Sequence, residues 1–328
     1  MAKTNIMSDG TTDQTPFEDT VLGTAGHLAA LPFWNPEQRR FRAFFRVIVA
    51  VVIAVGGAAA IGALLTPLFS MPVVFATQQI LRALLAVALL GAWARYVDRR
   101  PFAAYGFHLD RDWWIDLLGG ILIGTAIHFG AFATFLIMGW AHVTDVGALG
   151  AADGSFTIAM LTIAVAYVCV AMWEESVFRG LFIINGTEGL GWVPPQVAVV
   201  IAAFFAAVVF GVLHFQQASS PLSLLFWIGM GVVLALTYAI TGELALPVGF
   251  HFAYNFAGNS VFGITGVATD RLPTLFRLSF TGPKIFVRVA GVVNAAFIGV
   301  GFVLLLAWIQ WRYGNLNLHT ELAAWRAE

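Results

Sequence analysis

Apolar runs of 18 or more residues recur along this chain from Val47 to Trp308, and no other feature constrains its fold as strongly. At about 1.5 Å per residue, such a run crosses the roughly 30 Å hydrocarbon core of a bilayer. Composition agrees: 59% of residues are hydrophobic and 11% charged, where a soluble domain carries about 25% charged residues. Mean hydropathy is +0.84. The expected fold is all-α, a polytopic membrane protein built as a bundle of about eight transmembrane helices. Net charge is −1, and no basic cluster suggests nucleic acid as a partner. The single cysteine, Cys169, excludes an intrachain disulfide and a Cys-rich metal site. Inside an apolar helix it reads as a packing residue.

Taken in order, residues 1–38 form a polar tail rich in Thr, Asp and Gly, expected to be disordered and cytoplasmic. Residues 39–315 hold the eight spans and 316–328 a short C-terminal tail. The spans are expected near Val47–Leu68, Val74–Trp93, Leu117–Trp140, Phe156–Phe178, Val197–Leu213, Pro221–Ile240, Leu244–Val261 and Ile285–Trp308. Arg82 interrupts the second; it reads as snorkelling or buried against other helices rather than as a substrate residue. His128 in the third reads as a packing histidine. Asn185-Gly186-Thr187 matches a glycosylation acceptor, a weak pattern. Trp311 and Arg312 read as an interfacial anchor. Positive charge gathers before the first span and after the second, fourth and eighth, so both termini are expected in the cytoplasm. The link after the seventh, with Arg271, Arg277 and Lys284, departs from that rule and is expected to lie along the interface.

Polar groups inside the apolar mass concentrate in the fourth, fifth and seventh spans. Ile158 to Trp173 holds no charged residue, and then Glu174, Glu175 and Arg179 follow. A charge at the bilayer centre costs roughly 2.5–3.5 kcal/mol on insertion scales, so such groups are paired, wetted or used. Glu175 and Arg179 stand at i and i+4, the favourable order for an ion pair. Glu174 lies about 100° round the helix, which leaves it free for chemistry. Phe210 precedes His214 by one turn, and His251 precedes Asn255 by one turn on a shared face. A carboxylate base, a histidine that positions water and a His/Asn pair for an oxyanion make chemical sense together. Glu174, His214 and His251 could instead bind a divalent cation such as zinc. His-Glu-x-x-His and Gly-x-Ser-x-Gly are absent.

Glu174-Glu175-x-x-x-Arg179, Phe210-x-x-x-His214 and His251-x-x-x-Asn255, in that order, resemble the CPBP family of intramembrane proteases. That family comprises CAAX proteases, including Ras-converting-enzyme-like endopeptidases, and Abi bacteriocin-processing enzymes. Phe178-Arg179-Gly180, Gly211, Tyr238-x-x-Thr241-Gly242 and Pro247 are similar too, as is Arg100-Pro101 followed by Tyr105-Gly106-Phe107. The resemblance covers about residues 156–258. It implies a peptidase with an intramembrane catalytic cavity, in which Glu174 and His214 activate water while His251 and Asn255 steady the oxyanion. Glu175 and Arg179 would support the site. The implied partners are the lipid bilayer and a membrane-associated peptide or protein, prenylated or leader-like, in a prokaryotic plasma membrane. The other class is a non-proteolytic membrane protein: an immunity factor, a scaffold or a transporter. In a scaffold the three motifs could lie apart, and no repeat of the transporter kind is found.

Overall fold

The computed structural model describes residues 33–68, 72–215, 220–264 and 271–324. Most of the expected polar tail lies outside them. Residues 33–42 form a small hairpin of their own, β1 (Trp34–Asn35) paired antiparallel with β2 (Arg40–Phe41).

Most of the rest is helical, because backbone in hydrocarbon must satisfy its hydrogen bonds within the segment. The helices are α1 (Ala43–Leu65), α2 (Val73–Ala92), α3 (Arg111–Ile137), α4 (Phe156–Glu175), α5 (Phe182–Gly189), α6 (Pro195–Leu213), α7 (Pro221–Thr241), α8 (Ala245–Phe256), α9 (Lys284–Val287) and α10 (Val292–Tyr313). Among the described residues, seven helical stretches are long and apolar enough to cross a membrane. The expected seventh span is the exception. It is α8, 12 residues, extended by a 5-residue π turn, Ala257–Val261. That is about 25 Å at helical rise, and its first turns are buried among other helices.

Small residues set how α8 sits. A Cβ added to Gly249 would lie 2.1 Å from the Leu117 carbonyl oxygen of α3. Cβ atoms at Gly120 and Gly124 of α3 would strike the α8 backbone at Leu246 and Phe250. This is the close approach that small-xxx-small spacing allows between membrane helices. Gly211 of α6 meets the backbone of Ile228 on α7 in the same way. His128 packs as expected: its Nδ1 bonds the Gly124 carbonyl and its ring lies against Tyr254.

The link after α2 braces the start of α8. Gly106, at φ 97°, accepts from Leu244 N–H at 3.0 Å and from Trp113 Nε1–H at 2.9 Å. Tyr238 donates to the Tyr105 carbonyl. The Tyr105 phenol donates to buried Asp98; burial and then the Asp98 charge hold it protonated by raising its pKa. Asp98 also pairs with Arg46 and accepts from Asn185 Nδ2, while Glu188 accepts from Arg46 and Arg100. Asn185 is therefore a fully buried polar clamp, which corrects the glycosylation reading. Arg312 pairs with Asp112 and Asp116 of α3.

Two links are strands. β3 (Ala141–Ala148) pairs antiparallel with β4 (Thr274–Phe280) across more than a hundred residues. Asp145 stands opposite Arg277 in that register. A cross-strand acid thus faces one of the cations that broke the charge rule.

Candidate active site

α4 does not stop at Glu175. It passes through a π turn, Ser176–Leu181, into α5. Such turns carry an extra residue and recur at functional sites. Here the turn brings Arg179 back toward Glu175 while Gly180 rests against the Tyr105 carbonyl. Glu174 is 8% exposed, and Glu175 and Arg179 are fully buried.

Glu175 has two partners. Its Oε1 accepts from His251 Nδ1–H at 2.7 Å and lies 3.1 Å from Arg179 Nη1. The second contact is close enough for Coulomb attraction but not aligned as a hydrogen bond. Arg179 also donates to the Gly231 carbonyl at 3.3 Å and lies over the Phe210 ring at 4.4 Å, a cation–π contact. Phe210 in turn packs against the rings of His214 and His251.

The two imidazoles are held alike. His214 Nδ1–H donates to the Phe210 carbonyl at 2.8 Å, and its ring stacks on Trp227 at 4.9 Å. His251 gives its Nδ1–H to Glu175. With both Nδ1 atoms committed, both Nε2 atoms face the site. Each points at Glu174 Oε2, from 4.0 Å for His214 and 3.7 Å for His251. Those separations exceed a hydrogen bond and suit a bridging atom such as a shared water. Glu174 Oε2 is buried and has no hydrogen-bond partner. Asn255 follows His251 by one turn on α8, half-buried.

The structure thus gathers Glu174, Glu175, Arg179, His214 and His251 from α4, its π turn, α6 and α8, with Asn255 one turn away. The Glu175–His251 bond and the Trp227 stacking partner were not legible in sequence. Each joins residues on different helices, where spacing carries no signal.

As a donor set, Glu174 Oε2 and the two Nε2 atoms are the right types for a divalent cation. A tetrahedral zinc would hold its donors about 3.4 Å apart, slightly closer than they stand. Among the described residues, no group of three His, Cys, Asp or Glu side chains is already closed up for a metal ion.

A family model described as type II CAAX prenyl endopeptidase Rce1-like matches residues 155–257. No curated protein and no solved structure gives a match. The matched stretch begins just before α4, ends just past α8, and contains all six motif residues, the five that meet and Asn255. By these motifs and that match, residues 155–257 are similar to the CAAX-type intramembrane endopeptidases of the CPBP family.

Proposed function

We infer that the protein hydrolyses a peptide bond of a membrane-associated protein or peptide, using water activated by Glu174 and His214. One observation carries this reading: the convergence of both Nε2 atoms on the unpartnered Glu174 Oε2. A water there would give one hydrogen to Glu174 and offer the other to His214 Nε2. Its oxygen attacks the scissile carbonyl carbon as Glu174 takes the proton. His251, through its Nε2, and the Asn255 amide would stabilise the oxyanion. Glu174 then returns its proton to the departing nitrogen as the C–N bond breaks. Glu175 fixes the His251 ring through Nδ1, and Arg179 compensates the Glu175 charge. The three motifs meet in one place, which favours hydrolysis over a scaffold.

A second reading rests on the same convergence. Glu174, His214 and His251 would hold a divalent cation, which would polarise the carbonyl and lower the pKa of a bound water. Purified protein assayed against a prenylated tetrapeptide and a leader-type peptide, with and without chelator, separates the two readings. Activity lost on chelation and restored by zinc supports the metal; indifference to chelator supports Glu174 and His214 alone. If neither peptide is cut, the hydrolytic reading fails.

Orientation belongs to the same proposal, with both termini in the cytoplasm of a prokaryotic plasma membrane. Ala151 is exposed in the link between β3 and α4. In a Cys169→Ala background, Ala151→Cys is expected to react with an impermeant thiol reagent in intact cells. Labelling only after lysis would reverse the topology.

A further inference from the structure

His214 is held less firmly by its own helix than His251 is. His251 stands inside α8 and gives its Nδ1–H to the fully buried Glu175. His214 lies one residue past Leu213, the last residue of α6, so no further turn of that helix supports it. Its backbone N–H reaches the Gly211 carbonyl at 3.1 Å, and its Nδ1–H the Phe210 carbonyl at 2.8 Å. Two aromatic rings supply the rest. Phe210 packs at 4.4 Å between ring centroids, and Trp227 at 4.9 Å with its plane only 24° from parallel.

Trp227 comes from α7, which carries none of the three motifs. Close packing between α6 and α7 sets its level. A Cβ added to Gly211 would lie 2.7 Å from the Ile228 nitrogen, and one added to Gly231 2.8 Å from the Ala207 carbonyl oxygen. Neither helix can slide past the other there without a clash. Trp227 is buried and shares a core cluster with Phe250 and Tyr254 of α8. One turn further along α7, the Gly231 carbonyl accepts from Arg179 at 3.3 Å. One face of α7 thus serves both the imidazole and the guanidinium.

We propose that Trp227 is a positioning residue, which holds the His214 imidazole in the plane that turns Nε2 toward Glu174. This rests on the hydrolytic reading of the site. With the proton on Nδ1, Nε2 keeps a lone pair and can accept a hydrogen of the attacking water. The other tautomer would present a donor there instead. The Phe210 carbonyl selects the edge of the ring, and the nearly parallel indole fixes its tilt. Orientation of this kind weighs heavily on rate, since a misplacement of about 1 Å can cost about 10²-fold.

The test uses full-length purified protein and two substitutions. Trp227→Leu keeps an apolar side chain but removes the flat face, whereas Trp227→Phe keeps a ring. Trp227→Leu is expected to lower kcat about 10–100-fold with KM little changed, and Trp227→Phe to recover most of that loss. Nuclear magnetic resonance of nitrogen-15-labelled histidine gives a readout that needs no activity. The His214 signal is identified by its absence from the His214→Gln protein. It is expected to report a single Nδ1–H tautomer in the parent and a mixture of tautomers in Trp227→Leu. A parental kcat in Trp227→Leu, an effect confined to KM, or a Trp227→Phe protein no faster than Trp227→Leu would overturn the proposal. So would a single tautomer retained in Trp227→Leu. Mixed tautomers in the parent would do the same without any Trp227 variant, so poor folding of one cannot obscure the answer. A parent with one tautomer, scrambled in Trp227→Leu, that cuts no peptide would sink the hydrolytic reading and leave Trp227 as the residue that orients His214.

Discussion

Glu174→Gln is expected to slow peptide hydrolysis about 10²–10⁴-fold, the usual contribution of a positioned general base, while substrate still binds. Glutamine keeps the size of the side chain and loses only its capacity to take the proton. The same variant is expected to fold at least as well as the parent. Glu174 Oε2 is buried without a partner, and a neutral amide there avoids the desolvation cost of a carboxylate. A slower and equally or more stable enzyme is the signature of a group kept for chemistry. His251→Ala and Asn255→Ala are each expected to lower the rate by about 10²–10³-fold if they hold the oxyanion. Cleavage by Glu174→Gln at the parental rate would show that the base lies elsewhere.

Arg179→Ala is expected to be the most destabilising single change at the site, by on the order of 3–5 kcal/mol, because it leaves a fully buried carboxylate without its cation and with only the His251 hydrogen bond. It also removes the cation over Phe210 and the bond to the Gly231 carbonyl. The measurement is thermal stability and yield of folded protein in detergent. The double variant Glu175→Leu/Arg179→Leu distinguishes the two duties of Glu175. Replacing both members of a buried pair by apolar residues is often neutral or stabilising, so stability is expected to recover. Activity is not, because His251 has lost the acceptor that fixes its Nδ1–H. A stable, fully active Arg179→Ala protein would mean the ion pair has no structural role.

Much of this was already legible in the sequence. Long apolar runs dictated a helical membrane fold, since only backbone that satisfies itself can cross hydrocarbon. Spacings within one helix were legible for the same reason: Glu175 and Arg179, Phe210 and His214, and His251 and Asn255 each share a face at i and i+4. Periodicity is a property of a single helix, so it announced each motif and set Glu174 on a different face from Glu175. The partnerships between helices were decided only in three dimensions. Glu175 holds His251 from a different helix, Trp227 backs His214, and β3 finds β4. The π turn after Glu175 and the shortness of α8 belong to the same group. These depend on where helices touch and how closely. Contacts such as Gly249 against the Leu117 carbonyl and Gly211 against Ile228 set those distances. A glycine in an apolar run permits a close approach but does not name the backbone that will fill it.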